Sequence, residues 1–166
     1  MSQVSFENRT VIVTGAGNGL GKAYAIELGN RGAKVVVNDL GGAVDGSGSG
    51  STPADEVVNE IISNGGEAVA NYDSVATKDG GESIVQSAID NFGTVDAVIN
   101  NAGILRDKSF AKLSEEELSL VIDVHLKGTF FVSQPAFKVM KEKNYGRIVN
   151  VASPSGLFGN FGQSNY

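Results

Sequence analysis

Short apolar runs alternate with helical patterns along this chain, and that alternation constrains the fold more than any other feature. The runs are rich in Val and Ile, and several are too uniformly apolar for either face of a strand to meet water. They predict strands at residues 11–14, 35–38, 67–71, 95–100 and 147–151. Strand, helix and strand in regular succession require right-handed crossovers. The sequence therefore predicts an α/β fold with a doubly wound parallel sheet, as one domain over residues 1–166.

The predicted helices between these strands carry apolar side chains on one side. In the first helix Leu20, Ala23, Tyr24 and Leu28 share a face, which we expect to pack against the sheet. A longer helix precedes the fifth strand. Pro135 is predicted to kink or restart it, because proline removes a backbone donor and clashes with the preceding turn.

Charge and composition exclude several classes of function. The formal net charge of −6 argues against a nucleic-acid or anionic-membrane surface, since both need clustered Lys and Arg. The chain has no cysteine, which excludes disulfides and thiolate ligands, and no metal site is predicted. It shows no signal peptide, and no apolar run approaches the ~18 residues of a membrane span. From these features alone we expect a soluble, cytoplasmic protein.

Glycine is frequent, with 22 residues in 166, against an average usage of ~7%. Part of the excess lies in residues 41–51, a Gly/Ser-rich segment that predicts a flexible loop between the second strand and its helix. Another part lies in TGAGNGLG at residues 14–21, where the first strand leads directly into the first helix.

This glycine turn has the chemistry of a phosphate cradle. Glycines let the backbone turn tightly and let a pyrophosphate approach the amide groups at a helix N-terminus. The alternative is a turn that only connects strand to helix. The strand-turn-helix context and an acidic residue downstream favour dinucleotide binding. The residues predicted to bind it here are Gly15, Asn18, Gly19, Leu20 and Gly21.

Asp39 is the acidic residue, at the end of the second strand and about 20 residues after Gly19. A carboxylate there can accept hydrogen bonds from ribose hydroxyls, although a solvent-facing Asp in a turn is the alternative. A 2′-phosphate held ~4 Å from it at an effective dielectric of ~20 would be disfavoured by up to about 4 kcal/mol. No Arg or Lys lies between Asn38 and Ser51 to offset this repulsion. The sequence therefore predicts NAD rather than NADP.

Three motifs, in matching order over the whole chain, resemble the short-chain dehydrogenase/reductase family. They are the glycine turn, the run Asn100-Asn101-Ala102-Gly103 after the fourth strand, and Ser153 with Tyr166. The resemblance implies a Rossmann-like fold, a nicotinamide cofactor and a homodimer in the full-length form. It further implies cofactor contacts, with the adenine bordered by Asp73, Ser74 and Val75 and the rest of the cofactor lying along Asn101, Ala102 and Gly103.

For catalysis, the resemblance implies that Tyr166 is the general acid/base and that Ser153 holds the reacting oxygen. Each residue also has a plain structural alternative: a tight turn for Asn101-Ala102-Gly103, a polar strand end for Ser153, and a frayed end for Tyr166. Longer stretches, such as residues 100–110 and 156–166, resemble the dehydrogenase part of the type 2 peroxisomal multifunctional enzymes. That narrower resemblance implies oxidation of (3R)-3-hydroxyacyl-CoA to 3-ketoacyl-CoA in fatty acid β-oxidation, and a peroxisomal location.

Two features depart from the family pattern. His125 stands on the long helix where the family has an Asn, and we favour a core histidine bonded to backbone over a proton-transfer role. The family also has a Lys four residues after the Tyr, a position beyond Tyr166. We therefore expect a domain that is incomplete at its C-terminus and inactive as these 166 residues alone. The rival hypothesis is a catalytically silent nucleotide-binding or interaction module.

Overall fold

Five parallel strands form one sheet, in the order β3-β2-β1-β4-β5, in a computed structural model that describes residues 4–166. The strands are β1 (Thr10–Thr14), β2 (Lys34–Asn38), β3 (Glu67–Asn71), β4 (Ala97–Asn100) and β5 (Arg147–Asn150). The chain adds strands outward from β1 in one direction and then, after β3, returns to add β4 and β5 on the other side. The predicted α/β fold with a doubly wound, Rossmann-like sheet is confirmed.

Residues 4–166 contain six α-helices, which are α1 (Gly19–Asn30), α2 (Thr52–Ser63), α3 (Lys78–Phe92), α4 (Glu115–Ile122), α5 (Gly128–Glu142) and α6 (Pro154–Phe158). Helices α1 and α2 pack on one face of the sheet and α3 and α5 on the other, and apolar side chains of the central strands point alternately to the two faces. Val11 and Val13 of β1 pack into the core beneath α1 and α2, and Ile12 packs into the core beneath α3 and α5. None of the helices in residues 4–166 has the length and apolar character needed to cross a bilayer.

The buried face of α1 differs from the predicted one. Gly21, Ala25 and Gly29 are buried, whereas the Leu20 side chain is 64% exposed. A Cβ added at Gly29 would lie 2.6 Å from Ile61 of α2. The helix lies so close to its neighbours that only small residues fit at its centre, whereas Tyr24 and Leu28 of the predicted face pack against the edge of the same core. The predicted face is therefore correct for Tyr24 and Leu28 and wrong for Leu20 and Ala23, which are exposed.

The long helix is interrupted before Pro135 and does not restart at it, which corrects that part of the prediction. A π-helical turn at Asp123–Lys127 separates α4 from α5, while Pro135 lies inside the regular α5. Proline leaves the carbonyl four residues earlier without its usual amide partner, and that carbonyl, on Phe131, faces Gly81 of α3. The bare glycine leaves room for this carbonyl, and α5 continues without interruption through Pro135. Turns of the π type are frequent at functional sites, and this one contains His125.

A buried carboxylate joins the amino ends of β1 and β4 to the end of α5. Asp96, which directly precedes β4, is 5% exposed and accepts hydrogen bonds from the Thr10 amide at 2.8 Å and from Lys143 Nζ at 2.6 Å. Arg9 Nη1 lies 3.5 Å from the same carboxylate. Burial alone would raise the pKa of Asp96, but the hydrogen bonds from Lys143 and Thr10 and the charges of Lys143 and Arg9 together lower it.

We expect Asp96→Asn to lower the free energy of unfolding at pH 7 by about 1.5–3 kcal/mol, the usual worth of hydrogen bonds to a charged group. Because the folded pKa of Asp96 lies below its ordinary value, its stabilising effect is present above about pH 4 and is lost as the pH falls through the folded pKa. Urea unfolding at pH 7 and pH 3 measures both effects, with Asp90→Asn, an exposed change on α3, as the control. The prediction fails if the variant and the parent protein lose equal stability between the two pH values.

Candidate active site

A cavity of about 330 Å³ lies at the carboxyl ends of the strands, where the order of the sheet reverses between β1 and β4. Open α/β sheets bind their ligands at this position. Ten of the twelve predicted cofactor residues line the cavity: Gly15, Asn18, Gly19, Asp39, Asp73, Ser74, Val75, Asn101, Ala102 and Gly103. The glycine turn and the Asn-Ala-Gly run, far apart in the sequence, thus meet around one space.

The glycine turn is shaped by two residues with left-handed backbone. Gly15 has φ +61° and Gly19 has φ +55°, conformations that disfavour a side chain. A Cβ on Gly15 would lie 2.7 Å from the Ala102 Cα, whereas the space around Gly19 is open. Asn18 precedes α1 without making a side-chain cap, and the first turn of α1 contains no acidic residue. The amide groups at this helix end are therefore free of a competing carboxylate.

Asn101 joins the end of β4 to the glycine turn. Its side-chain Nδ2 donates to the carbonyl oxygens of Thr14 and Gly15, each at 3.0 Å. In return the Thr14 hydroxyl oxygen accepts from the amides of Asn101 at 3.1 Å and Ala102 at 3.0 Å. Three of these four bonds involve Asn101, which makes it a brace between two motifs, so its role in the fold goes beyond that of a tight turn.

Asp39 also braces the glycine turn. One carboxylate oxygen accepts from the Gly17 amide at 2.7 Å, and the other accepts from the Gly41 amide at 2.7 Å. A carboxylate has about four lone-pair positions, so about two remain free for a ligand hydroxyl. Asp39 is therefore not simply a solvent-facing turn residue. A negative charge stands at the edge of the cavity, held in place by backbone donors on both sides.

The Gly/Ser-rich segment 41–51 covers part of the cavity, which the sequence did not indicate. Val44 accepts a backbone hydrogen bond from the Leu105 amide at 3.0 Å, and a Cβ added at Gly46 would lie 3.1 Å from Ile104. Hydrogen bonds from Ser47 and the charge of Arg106 lower the pKa of Asp45 in this loop. The further lining residues that the sequence analysis missed are Asn38, Leu40, Gly42, Ala43, Val44, Gly46, Ile104 and Val124.

Two predicted cofactor residues do not line the cavity. The Leu20 side chain is mostly exposed, because its side of α1 faces away from the sheet. Gly21 is buried, and a Cβ there would overlap the Gly15 carbonyl oxygen and approach the Asn101 side chain to 2.5 Å. Gly21 therefore permits the close approach of α1 to the glycine turn and lies behind the cavity wall.

Ser153 and Tyr166 lie outside the cavity lining. Ser153 precedes α6, and its hydroxyl oxygen accepts from the Ser155 amide at 3.2 Å. The Tyr166 ring meets the His125 ring edge-on, with 5.0 Å between ring centroids. Within residues 4–166 no hydrogen bond joins Ser153 to Tyr166.

The residues just before Tyr166 are tied to the segment that follows the Asn-Ala-Gly run. Lys108 donates its amide to the Gly162 carbonyl at 2.8 Å, and Asn165 Nδ2 donates to the Arg106 carbonyl at 2.9 Å. Asn165 is 9% exposed. The end of the described chain is thus packed rather than frayed, and residues 106–108 hold it.

His125 is bonded to backbone, as the sequence analysis favoured. Its Nε2 lies 3.0 Å from the Ile104 amide nitrogen and 2.9 Å from the Ile104 carbonyl oxygen, so the tautomer decides which partner it bonds. A Cβ on Gly103 would lie 3.2 Å from Nδ1 and closer still to the ring carbon between the two nitrogens. The π-helical turn thereby sets the His125 ring against the Asn-Ala-Gly run.

The sequence profile of the family described as short chain dehydrogenase matches residues 9–166. The chain belongs to the short-chain dehydrogenase family. It is 59% identical over 163 residues to the peroxisomal hydratase-dehydrogenase-epimerase of Saccharomyces cerevisiae. The matched region covers 98% of this chain and 18% of that protein. It is 54% identical over 165 residues to the peroxisomal multifunctional enzyme type 2 of Mus musculus, covering 99% of this chain and 22% of that protein. The chain thus spans about a fifth of the length of these two relatives.

Solved structures support the same assignment. A short chain dehydrogenase from Mycobacterium avium superposes with a TM-score of 0.87 and 46% sequence identity, over 96% of this chain and 57% of that one. The predicted resemblance to short-chain dehydrogenases and to the type 2 multifunctional enzymes is therefore confirmed. This family of oxidoreductases and its Rossmann-like fold indicate a nicotinamide dinucleotide, NAD or NADP, as cofactor.

The residues around the cavity fit such a dinucleotide. The uncapped N-terminus of α1 suits a pyrophosphate, since helix N-termini attract anions. The open space beside Gly19 lets a ligand approach the backbone. The Asp39 carboxylate supplies hydrogen-bond acceptors at the end of β2, where the adenosine ribose of a bound dinucleotide would lie. Among residues 4–166 no cluster of His, Cys, Asp or Glu is suited to hold a metal ion.

We expect Gly21→Ala to weaken dinucleotide binding by more than about tenfold, because the added methyl group would push α1 away from Gly15. Fluorescence titration with NADH measures the effect. Gly156→Ala is the matched control, since Gly156 has ordinary backbone and open space around it. Equal NADH affinity in the two folded variants would show that the close approach of α1 is not needed for binding.

Proposed function

We propose that this chain carries the NAD-dependent oxidation of (3R)-3-hydroxyacyl-CoA to 3-ketoacyl-CoA. The observation that supports it best is the cavity at the sheet reversal, around which the glycine turn, Asp39 and the Asn-Ala-Gly run come together. The substrate class rests on the resemblance to the type 2 multifunctional enzymes, among which the relative from Saccharomyces cerevisiae is named a dehydrogenase. Peroxisomal location belongs to the same proposal, and microscopy of the tagged full-length protein tests it.

The binding residues divide between the parts of the cofactor. The glycine turn and the N-terminus of α1 hold the pyrophosphate, and Asp39 accepts from the adenosine ribose. Asp73, Ser74 and Val75 border the adenine, and Asn101, Ala102 and Gly103 lie along the nicotinamide half.

The chemistry requires one proton and one hydride to leave the substrate. When bound, NAD accepts the hydride from the carbon that carries the hydroxyl group. Tyr166, acting as the phenolate, takes the hydroxyl proton and becomes the phenol, and Ser153 donates a hydrogen bond to the reacting oxygen. The edge-on contact with His125 and the packed residues before it hold the Tyr166 ring beside the π-helical turn, which supports the proposed role.

The proposed homodimer is supported by an exposed apolar strip that begins in the π-helical turn and continues along α5. Leu126, Phe130 and Phe137 are 57%, 65% and 56% exposed, and their spacing places them on one side of the helix. Grouped apolar side chains of this kind mark interaction surfaces. Sedimentation of the full-length protein is expected to show a dimer that Phe130→Glu weakens, and a monomeric parent protein would contradict this proposal.

The preference for NAD is expected to depend on the charge of Asp39. Asp39→Asn keeps an acceptor oxygen for the brace to the glycine turn but removes the repulsion of a 2′-phosphate. We expect the ratio of NAD to NADP affinity to fall by up to about a thousandfold. Titration of both cofactors measures the ratio, and Asp45→Asn, a charge change in the adjoining loop, should leave it unchanged. Equal affinity of the parent protein for NAD and NADP would refute the proposal.

Tyr166→Phe is expected to slow NADH formation by about 10²–10⁴-fold with little change in NAD affinity, because only proton transfer is removed. The assay follows NADH formation by the full-length protein from the (3R) and (3S) forms of a 3-hydroxyacyl-CoA, and only the (3R) form should react. Tyr145→Phe is the matched control, since Tyr145 lies beside Arg9 at the opposite end of the sheet. NAD binding without oxidation of either form would favour the catalytically silent module.

A further inference from the structure

Two Asn-Gly pairs occur in this sequence, Asn18-Gly19 in the glycine turn and Asn64-Gly65 after α2. In such a pair the backbone nitrogen of the glycine can attack the side-chain amide of the asparagine, because glycine has no side chain to hinder the approach. The attack closes a succinimide ring, which water opens to aspartate or isoaspartate. Both asparagines are exposed to water, so the structure around each pair decides how readily it reacts.

The pair in the glycine turn is unrestrained. Within residues 4–166 no hydrogen bond holds the Asn18 side chain, and none engages the Gly19 amide. The Asn18 backbone is extended, with ψ 168°, which places the following amide on the same side as the asparagine side chain. A Cβ added at Gly19 would meet nothing within 4 Å. The attacking nitrogen and its target are therefore both free to meet.

The pair after α2 is restrained by its hydrogen bonds and by its backbone. Asn64 Nδ2 donates to Asn30 Oδ1 at 3.2 Å, and the Gly65 amide donates to the Ile62 carbonyl oxygen at 2.9 Å. The Asn64 backbone has ψ 2°, which turns the following amide away from the asparagine side chain. Because two hydrogen bonds must break first, we expect the reaction at Asn64 to be slower by about tenfold or more.

We infer that Asn18 is a deamidation site, and that the carboxylate formed there switches off dinucleotide binding. The Gly19 nitrogen bonds to Cγ of Asn18 while the bond from Cγ to Nδ2 breaks, and the amide proton leaves with Nδ2 as ammonia. Water then opens the ring at one of its two carbonyl groups. One water is consumed and one ammonia is released, with no oxidation or reduction. The effect on binding rests on the proposed function, whereas the modification itself does not.

A carboxylate at position 18 opposes a bound pyrophosphate in two ways. As the residue before α1, it can accept from the amides of the first helical turn, which are the donors that a pyrophosphate needs. Its charge also repels the phosphates. The isoaspartate product further lengthens the backbone of a turn that leaves room only for glycine at Gly15. We expect dinucleotide affinity to fall by more than about tenfold in either product.

The first test ages the full-length protein in mildly alkaline buffer and locates the modified residues by mass spectrometry of its peptides. Product should form about tenfold faster at Asn18 than at Asn64. Saturating NAD should slow the reaction at Asn18 alone, since a bound dinucleotide would cover the glycine turn. The urea-unfolded protein is the control, in which the two pairs should react at similar rates. Equal rates at the two pairs of the folded protein would overturn the inference.

The second test measures the consequence by fluorescence titration with NADH. Asn18→Asp should weaken binding by more than about tenfold. Asn18→Gln adds a methylene group that disfavours ring closure, so fresh and aged samples of this variant should have the same affinity. Asn64→Gln is the matched control, and it should lose affinity on ageing as the parent protein does.

The outcomes separate this inference from the proposed function. An Asn18→Asp variant that binds NADH as tightly as the parent protein would overturn the inference and leave the proposed function intact. Equal loss of affinity on ageing in Asn18→Gln and the parent protein would also overturn it, since another change would then be responsible. A fresh parent protein that binds no NADH would contradict the proposed function and the switch together, while the peptide analysis would still decide whether Asn18 is the reactive amide.

Discussion

The close approach of three backbone segments at the reversal of the sheet is the constraint on which the rest of this structure depends. The turn after β1 lies against the start of α1 on one side and against Ala102 on the other, with space for glycine only at Gly15 and Gly21. Asn101 and Thr14 then fix the approach with reciprocal hydrogen bonds between side chains and backbone. Because β1 is central, this junction also sets where the neighbouring strands end and so where the cavity opens.

Local geometry, rather than overall charge, makes this cavity suitable for an anionic ligand. The chain carries a formal charge of −6, which by itself would repel a dinucleotide. The uncapped N-terminus of α1 supplies partial positive charge over a short range, and the nearby Asp39 is held by two backbone amides. One carboxylate therefore both stabilises the glycine turn and stands where a ribose would bind.

The two ends of the cavity are organised differently. At the end beside β2 and β3, the buried side-chain amides of Asn38 and Asn71 hold Asp73 in one position. At the opposite end, the π-helical turn brings His125 against the Asn-Ala-Gly run and the Tyr166 ring against His125. The Gly/Ser-rich segment lies over the cavity between them, joined to Leu105 by one backbone hydrogen bond. Asp73 is thus held rigidly at one end of the cavity, while the Gly/Ser-rich segment that covers the cavity is held by this one bond. Such an arrangement suits a ligand that must enter and leave.

The sequence by itself determined the parallel sheet, the glycine turn and most of the cavity wall, because each is local: apolar runs define strands, and glycines define the turn. It misjudged part of the buried face of α1. The helix packs so closely against Ile61 and Gly15 that small residues are favoured there over large apolar ones. It placed the break in the long helix at Pro135, because it could not show that Gly81 makes room for the freed carbonyl. Only the tertiary structure showed the segment around Val44 crossing the cavity and Asn38 and Asn71 joining behind Asp73. These contacts link residues distant in the sequence, so they exist only once the strands are side by side.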